Sequence, residues 1–297
     1  MANNGLLHLI GRTSLRSVIM NILACLPDRL YLEFQWKRFM DYPLNLKNPK
    51  SFNEKMAWLK LFDRNPLYTK LADKWLVKDY VALYCGVQYV VKNFGVWDDF
   101  DSIDFDKLPS QFVLKCTHAS GGIAICKDKS KFNKQHAKYK LTKCLKTNFY
   151  PQYREWVYKD IKPRIIAEEF IGDDLQDYRI YCFNGVPKII YSYTNKSNTI
   201  GTKPEPEYCD IFDTEWNPLP FRQNSPPRGD VPRPEHLDEI LACSQKLSVG
   251  IPFVRVDFYD NGKVLFSECT FYPGAGGSRF HPQEWDFTLG SWIKLSE

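Results

Sequence analysis

Apolar and polar residues alternate through FVRVDFYD (253–260) and again through VLFSECT (264–270), and Asn261-Gly262 lies between the two runs, the pattern of a β-hairpin. Asn-Gly readily supplies the two positive-φ positions of a type I′ turn, so a two-residue loop is expected, pairing Asp260 with Lys263 and Arg255 with Glu268. Arg255, Asp257, Glu268 and Thr270 then project from one face, and Val254, Val256 and Phe258 from the other. A three-residue loop would turn Glu268 away from that face. A second Asn-Gly, at 184–185 within IIAEEFIGDDLQDYRIYCFNGVPKIIYSYT, predicts a similar hairpin in which Tyr181 faces Lys188 and Arg179 faces Ile190. In that register Asp177, Arg179 and Lys188 share a side. QFVLKCTHASGGIAICKD reads as strand, glycine turn, strand, with Lys115 and Thr117 on the face away from Phe112, Leu114 and Cys116.

Helical spacing accounts for much of the remainder. SVIMNILACL, within Leu6–Leu26, follows Arg12 and Arg16 and stops at Pro27-Asp28, too short to span a bilayer. It is either a helix packed on the protein's own core or a basic amphipathic helix lying on a membrane surface. LPDRLYLEFQWKRFMDY predicts a second helix. Ser51 followed by Glu54 forms a capping-box pattern ahead of Met56, Leu59 and Phe62 at helical spacing. Asp63 to Pro66 reads as a turn, and Asp73 to Tyr84 as one helix ended by Cys85-Gly86, with Lys74 and Lys78 on a solvated face. GVQYVVKNFGVW predicts a short strand, and DFDSIDFDKLPS an acidic connector. Residues 127–146 carry eight lysines on a helical pattern, the composition of a solvated face or of a surface for a polyanion. Residues 203–234 hold eight of the 19 prolines and read as an irregular excursion, and Pro234 to Val249 returns to an amphipathic helix.

Composition narrows the class. At 297 residues, with 44% hydrophobic and 25% charged residues, the chain has material for two or three packed lobes and no disordered tract. A net charge of +5 suits anionic substrates or a membrane surface without requiring nucleic acid. Nine cysteines with no CxxC spacing describe neither a zinc site nor a disulfide framework. With no cleavable leader pattern, reduced thiols in a cytoplasm are expected.

The candidate chemistry lies on the polar faces of the strands. Asp257 and Glu268 beside Arg255 are either a solvated hairpin with a cross-strand ion pair or a place for Mg²⁺ carrying polyphosphate oxygens. Lys115 leading into Ser120-Gly121-Gly122 is either an ordinary hairpin tip or a phosphate grip, since small residues let backbone N–H groups approach anionic oxygens. Its spacing is not that of a Walker loop, and His118 and His136 have no metal-ligand spacing.

Taken in order, four stretches resemble an ATP-grasp enzyme, and the chain as a whole is similar to the teichuronopeptide-biosynthesis, TupA-like branch of that superfamily. They are LNLKNPKSFNEKMAWLKLFDRNPLYTKLADKWLVKDYV, LPSQFVLKCTHASGG, IIAEEFIGDDLQDYRIYCFNG, and VRVDFYDNGKVLFSECTFYPGAGG with the tail PQEWDFTLGSWIKL. The resemblance implies an α+β ATP-grasp fold, two lobes with mixed or antiparallel sheets clasping ATP, preceded by an N-terminal helical segment. The corresponding divisions are 1–50 for that segment, 51–110 for a pre-ATP-grasp domain, 111–166 for the small lobe with a phosphate lid, and 167–297 for the large lobe with the metal site. It further implies Lys115 on the α-phosphate, Ser120, Gly121 and Gly122 as the lid, and Glu168, Glu169 and Ile171 at the adenine hinge. Asp177 would hold the ribose, with Arg179 or Lys188 on phosphates, Arg255 at the transferred phosphate, and Asp257, Glu268 and Thr270 around Mg²⁺. Thr270 stands where many ATP-grasp enzymes have Asn, which puts a second metal in question.

The implied function is an ATP-dependent carboxylate–amine ligase acting through an acyl phosphate. Its branch points to surface polysaccharide (capsule, O-antigen or teichuronopeptide-like), with a uronic acid as carboxylate and a small amine as partner. The expected setting is the cytoplasm, with peripheral attachment to the inner membrane face as an option. Arg279 and His281, just beyond the glycines of FYPGAGGSRFHP, are the expected acceptor-binding residues; the alternative is that Arg279 pairs with Glu284 or Asp286 and anchors the tail. Two rival readings are a glycosyltransferase, using an Asp-x-Asp metal motif such as those among Asp99, Asp101, Asp104 and Asp106, and a binding protein with a dead nucleotide site.

Overall fold

A computed structural model describes residues 25–173, 175–194 and 208–295; the apolar stretch within Leu6–Leu26 falls almost wholly outside them. The first described helix, α1 (Asp28–Phe39), buries Tyr31, Leu32 and Trp36. Next, α2 (Phe52–Phe62) begins at the predicted capping box: Ser51 Oγ accepts from the Glu54 amide while Glu54 accepts from the Ser51 amide. The helix expected from Asp73 begins only at Val77. A short α3 (Leu67–Ala72) comes first, then a turn in which the Asp73 carboxylate accepts from the amides of Trp75 and Leu76, and α4 (Val77–Tyr84) starts beyond it. Asp73 competes for those amides in an extended conformation, which is why the helix does not run through it.

Two antiparallel sheets follow. The first has the order β1-β4-β2-β3, built from β1 (Asn93–Trp97), β2 (Phe112–Cys116), β3 (Ile123–Cys126) and β4 (Ile165–Glu169). Its apolar side, Phe112, Leu114, Cys116, Ile165 and Ala167, packs on α5 (Lys134–Leu145) through Ala137, Leu141 and Cys144. This sheet therefore draws β1 from the 51–110 segment, and β4 straddles residue 166. A short α6 (Tyr150–Tyr153) precedes β4.

The second sheet has the order β7-β6-β5-β8-β9, from β5 (Gln176–Phe183), β6 (Val186–Thr194), β7 (Tyr208–Phe212), β8 (Phe253–Asp260) and β9 (Val264–Thr270). Ile180 and Cys182 lie opposite Val256 and Val254 on the side covered by α7 (Leu237–Ser248), whose Ser244 carbonyl accepts from the Cys182 thiol. The other face carries Asp177, Arg179 and Tyr181 opposite Tyr259, Asp257 and Arg255. The proline-rich excursion is less irregular than its composition implies, because β7 lies within it and extends the sheet; Trp216 stacks on Phe212 at 4.0 Å and helps close the loop that follows.

Both hairpins depart from their expected register, each through a bulge. At Asn184 (φ 49°) and Gly185 (φ 80°) the two-residue turn forms as predicted, with Phe183 opposite Val186. A bulge then leaves Lys188 unpaired, so Tyr181 faces Ile189 and the expected grouping of Asp177, Arg179 and Lys188 is not made. Pro187, which has no amide to give the ladder, sits at the bulge, and the Lys188 ammonium lies 4.8 Å from the Trp292 ring instead. In the β8–β9 hairpin only Gly262 of the pair has positive φ (91°), so the type I′ requirement is unmet and the loop has three residues, with Asp260 opposite Val264. One extra residue in β9, Ser267, restores the face: Phe258 pairs with Phe266, but Asp257 pairs with Glu268 and Arg255 with Thr270. The loop slip and the bulge add to a shift of two residues, which keeps Glu268 on the same face but sets it opposite Asp257 rather than the expected Arg255.

The C-terminal helix, α8 (Glu284–Trp292), locks the start of α2. The Asp286 carboxylate accepts from the Asn53 amide, from Asn53 Nδ2 and from the Tyr42 hydroxyl. Gly290 permits the contact, since a Cβ there would lie 2.1 Å from the Lys50 carbonyl oxygen and 2.6 Å from the Phe52 nitrogen. Both are backbone atoms that cannot swing aside. Gly290→Ala is therefore expected to destabilise the fold by at least about 2 kcal/mol, read as a fall in thermal midpoint.

Candidate active site

Between the sheets lies a cavity of about 690 Å³ lined by Val113, Lys115, Gly121, Ile123, Ile125, the 168–172 segment and Tyr259. Its far wall is tied across the sheets where Asn261 Nδ2 donates to the Ile171 carbonyl at 2.8 Å. Of the expected nucleotide residues, Lys115, Gly121, Glu168, Glu169 and Ile171 all line it. Ser120 is an exposed residue at the β2–β3 tip. Gly122 is positioned by packing instead: a Cβ there would meet Cys144 Sγ at 2.4 Å and Cys116 Sγ at 2.8 Å.

Glu168 is the electrostatic centre of this cavity. Its carboxylate is buried and accepts from Lys115 Nζ at 2.7 Å and Lys78 Nζ at 2.6 Å. Burial alone would push the Glu168 carboxyl up; the two ammoniums reverse that and hold it down at about 2. Burial pulls the Lys115 ammonium down too, and the Glu168 charge more than restores it. The Glu168 side chain thus sets the lysine that faces the cavity, and only backbone and neighbouring residues of the 168–172 segment are left to contact a base.

The polar face of the second sheet continues from there. Arg255 grips the Asp257 carboxylate with Nε at 2.7 Å and with Nη2, and the same Nη2 reaches Glu268 Oε1 at 3.2 Å. Glu268 Oε2 accepts from Lys74 Nζ at 3.1 Å, and Thr270 Oγ1 lies 3.4 Å from Oε1. Arg179 donates to Asp177 at 3.2 Å, stands 3.9 Å from Asp257 and stacks over Tyr193 at 4.0 Å. Burial raises the Asp257 carboxyl above its ordinary range against the pull of Arg255 and Arg179, whereas Lys74 and Arg255 overcome the same burial at Glu268 and hold it low. Three carboxylates and three cations thus share one half-buried face.

Lys74 and Lys78 were expected on a solvated face, and both enter the site. The spacing of four does place them on one side of their segment, but nothing in the local pattern announces that the acids of two different strands lie opposite. The acceptor candidates sit apart from this cluster. Arg279 donates to the Phe39 carbonyl at 3.0 and 3.1 Å, at the end of α1, and pairs with neither Glu284 nor Asp286. His281 exchanges backbone hydrogen bonds with Arg222. The connector aspartates are exposed and locally used, Asp99 by Ser102, Asp101 by Lys138 and Asp104 by Lys107.

Among the described residues no group of three or more His, Cys, Asp or Glu surrounds a common point. Asp257 and Glu268, directly opposite across β8 and β9, match the demand of Mg²⁺, which is held by one or two carboxylates and takes its other ligands from phosphate and water. The donor set fits such an ion.

Two antiparallel sheets enclosing a lysine-lined cavity, with paired acids on the facing strands, define an ATP-grasp fold, a class of ATP-dependent ligases. The particular branch follows from sequence: residues 54–294 match the TupA-like ATPgrasp family, and the chain belongs to it. Among solved structures it is similar to D-alanine–D-alanine ligase from Bacillus anthracis complexed with ATP, at 16% identity over 68% of this chain and 55% of that one, with a TM-score of 0.39. D-alanine–D-alanine ligase from Helicobacter pylori is similar at 16% identity over 82% of this chain and 70% of that one, TM-score 0.43. L-amino acid ligase from Bacillus licheniformis is similar at 12% identity over 95% of this chain and 63% of that one, TM-score 0.49. The chain thus spans little more than half the length of the first of these. No protein of curated function matches it.

The Glu168 pairing makes a prediction with a definite sign. Its folded-state value of about 2 lies below the ordinary 4.5, so its contribution is full above pH 4.5 and is lost as pH falls toward 2. The stability advantage of the native chain over Glu168→Gln should therefore shrink by about 3 kcal/mol between pH 6 and pH 2, measured by denaturant titration. An advantage that is flat across that range would remove the ion pairs from the stability of the cavity.

Proposed function

We propose that this chain is an ATP- and Mg²⁺-dependent carboxylate–amine ligase that joins an amine to a uronic acid during surface polysaccharide assembly (capsule, O-antigen or teichuronopeptide-like). The observation that carries the reading is the polar face of β5, β8 and β9, where Lys74, Arg179 and Arg255 converge on Asp177, Asp257 and Glu268 beside the Lys115 cavity. Joining a carboxylate to an amine at the expense of ATP demands that phosphate charge be neutralised while water is excluded from an acyl phosphate. In this assignment Lys115 holds the α-phosphate and the 169–171 segment meets adenine. Asp177 holds the ribose, with Arg179 against phosphate. Arg255 steadies the phosphoryl group in transfer. Asp257 and Glu268, with Thr270 at their edge, would hold Mg²⁺, which would supply neutralisation of phosphate charge. The carboxylate takes the γ-phosphoryl group from ATP to give ADP; the amine then adds to the acyl carbon and phosphate leaves.

The choice of a glycan carboxylate rests on the family branch, and work at the inner membrane face on the same ground; no helix among the described residues is long and apolar enough to cross a membrane. Incubation with Mg·ATP and panels of uronic acids and amines, followed by mass spectrometry, tests the reading. Expected are ADP, phosphate and an amide of the summed mass, all abolished in Asp257→Asn and Glu268→Gln with unchanged circular dichroism. Appearance of AMP in place of ADP would sink the acyl-phosphate route.

Arg279 and His281 are proposed to lie on the acceptor side, where the loop after β9 leaves the metal-bearing strand. Because Arg279 also caps the end of α1, Arg279→Lys separates the two roles. An acceptor contact raises the acceptor KM at constant ATP KM; a lowered thermal midpoint with unchanged kinetics assigns the residue to holding α1 alone.

A further inference from the structure

A second concavity, of about 630 Å³, lies outside the catalytic cleft, along the outer side of α2. Lys47 and Lys50 reach it from the loop before α2, Lys55 and Trp58 from α2 itself, and Phe287 and Ser291 from α8. None of the described residues lining it is acidic. Lys55 Nζ donates to the Ile293 carbonyl at 2.6 Å and meets no carboxylate among the described residues. Burial first, and the neighbouring Lys50 charge second, lower the Lys55 ammonium. The aromatic part is equally placed: Trp58 is half-buried against Phe62, with ring centroids 5.1 Å apart, and Phe287 is 43% exposed.

We propose that this groove binds a short acidic oligosaccharide, with sugar carboxylates on Lys47, Lys50 and Lys55 and a pyranose face on the Trp58 ring. Three ammoniums act as point charges for separate carboxylates, whereas a single phosphate would engage one or two of them. A flat aromatic ring offers apolar area to the C–H face of a sugar. The volume lies in the range of about 300–1,000 Å³ typical of small-ligand sites. The groove lacks the run of glycine amides that grips a nucleotide's phosphates. In the ligase such a site would hold distal units of the glycan whose end is modified in the cleft; the choice of sugar acid rests on the proposed acceptor class.

Calorimetry on the full chain with tri- and tetragalacturonate, maltotriose, UMP and inorganic phosphate tests this apart from catalysis. Lys47→Gln/Lys50→Gln, both exposed positions, should weaken oligogalacturonate binding at least tenfold without changing the thermal midpoint, and added salt should weaken it in the native chain. Maltotriose should bind less tightly than the acidic trimer. Equal affinity of the native and double-variant proteins overturns the groove, as does tighter binding of UMP or phosphate than of the acidic trimer. The two readings fail separately. Charge-dependent trimer binding without amide formation on any uronic acid keeps the groove and removes the proposed acceptor, whereas amide formation with no trimer binding removes the groove alone.

Discussion

The constraint on which the structure turns is the charge balance of one sheet face. Three carboxylates and three cations are taken partly or wholly out of water there, and each ion so moved costs several kcal/mol unless its partners are placed to offset it. The pairing comes both from i, i+2 neighbours on one strand, Arg255 with Asp257 and Arg179 with Asp177, and from adjacent strands and the segment before α4. Asp257 lies between Arg255 on its own strand and Arg179 on β5, and Glu268 between Arg255 and Lys74. Removing any one leaves another buried without its partner. That mutual dependence explains why the register of β8 and β9 matters so much, and why a bulge at Ser267 persists in an otherwise regular pair.

Much of this was legible in the chain. Strict alternation marked β2, β5, β8 and β9, the Ser51–Glu54 pair marked the start of α2, and the Lys115 and Arg255–Glu268 segments marked the two polar faces. What alternation does not encode is the bulge. Ser267 and Lys188 each look like ordinary strand residues, and only pairing with the neighbouring strand shows that one of them is extra. The hairpin assignment reached the correct face for Glu268 because two one-residue shifts summed to the strand repeat of two, although its cross-strand partner is Asp257 and not Arg255; at Lys188 there was one shift only, and the assignment failed.

Lys74 and Lys78 were illegible for a different reason. A lysine on a helical face is ordinarily solvated, and its partner is set by the way distant segments pack, in this case Glu268 at a separation of 194 residues and Glu168 at 90. Long-range acid–base pairing leaves no local trace. The same holds for Gly290, whose need is created wholly by the backbone of Lys50–Phe52 lying against α8.

Those two lysines also say something about mechanics. Four residues apart, they reach into different sheets: Lys78 to Glu168 on β4 of the first, Lys74 to Glu268 on β9 of the second. The segment from Asp73 into α4 is thus a strut with one charged end in each half of the molecule. The two sheets are therefore tied to one another through this one turn of chain as well as through the Asn261–Ile171 hydrogen bond.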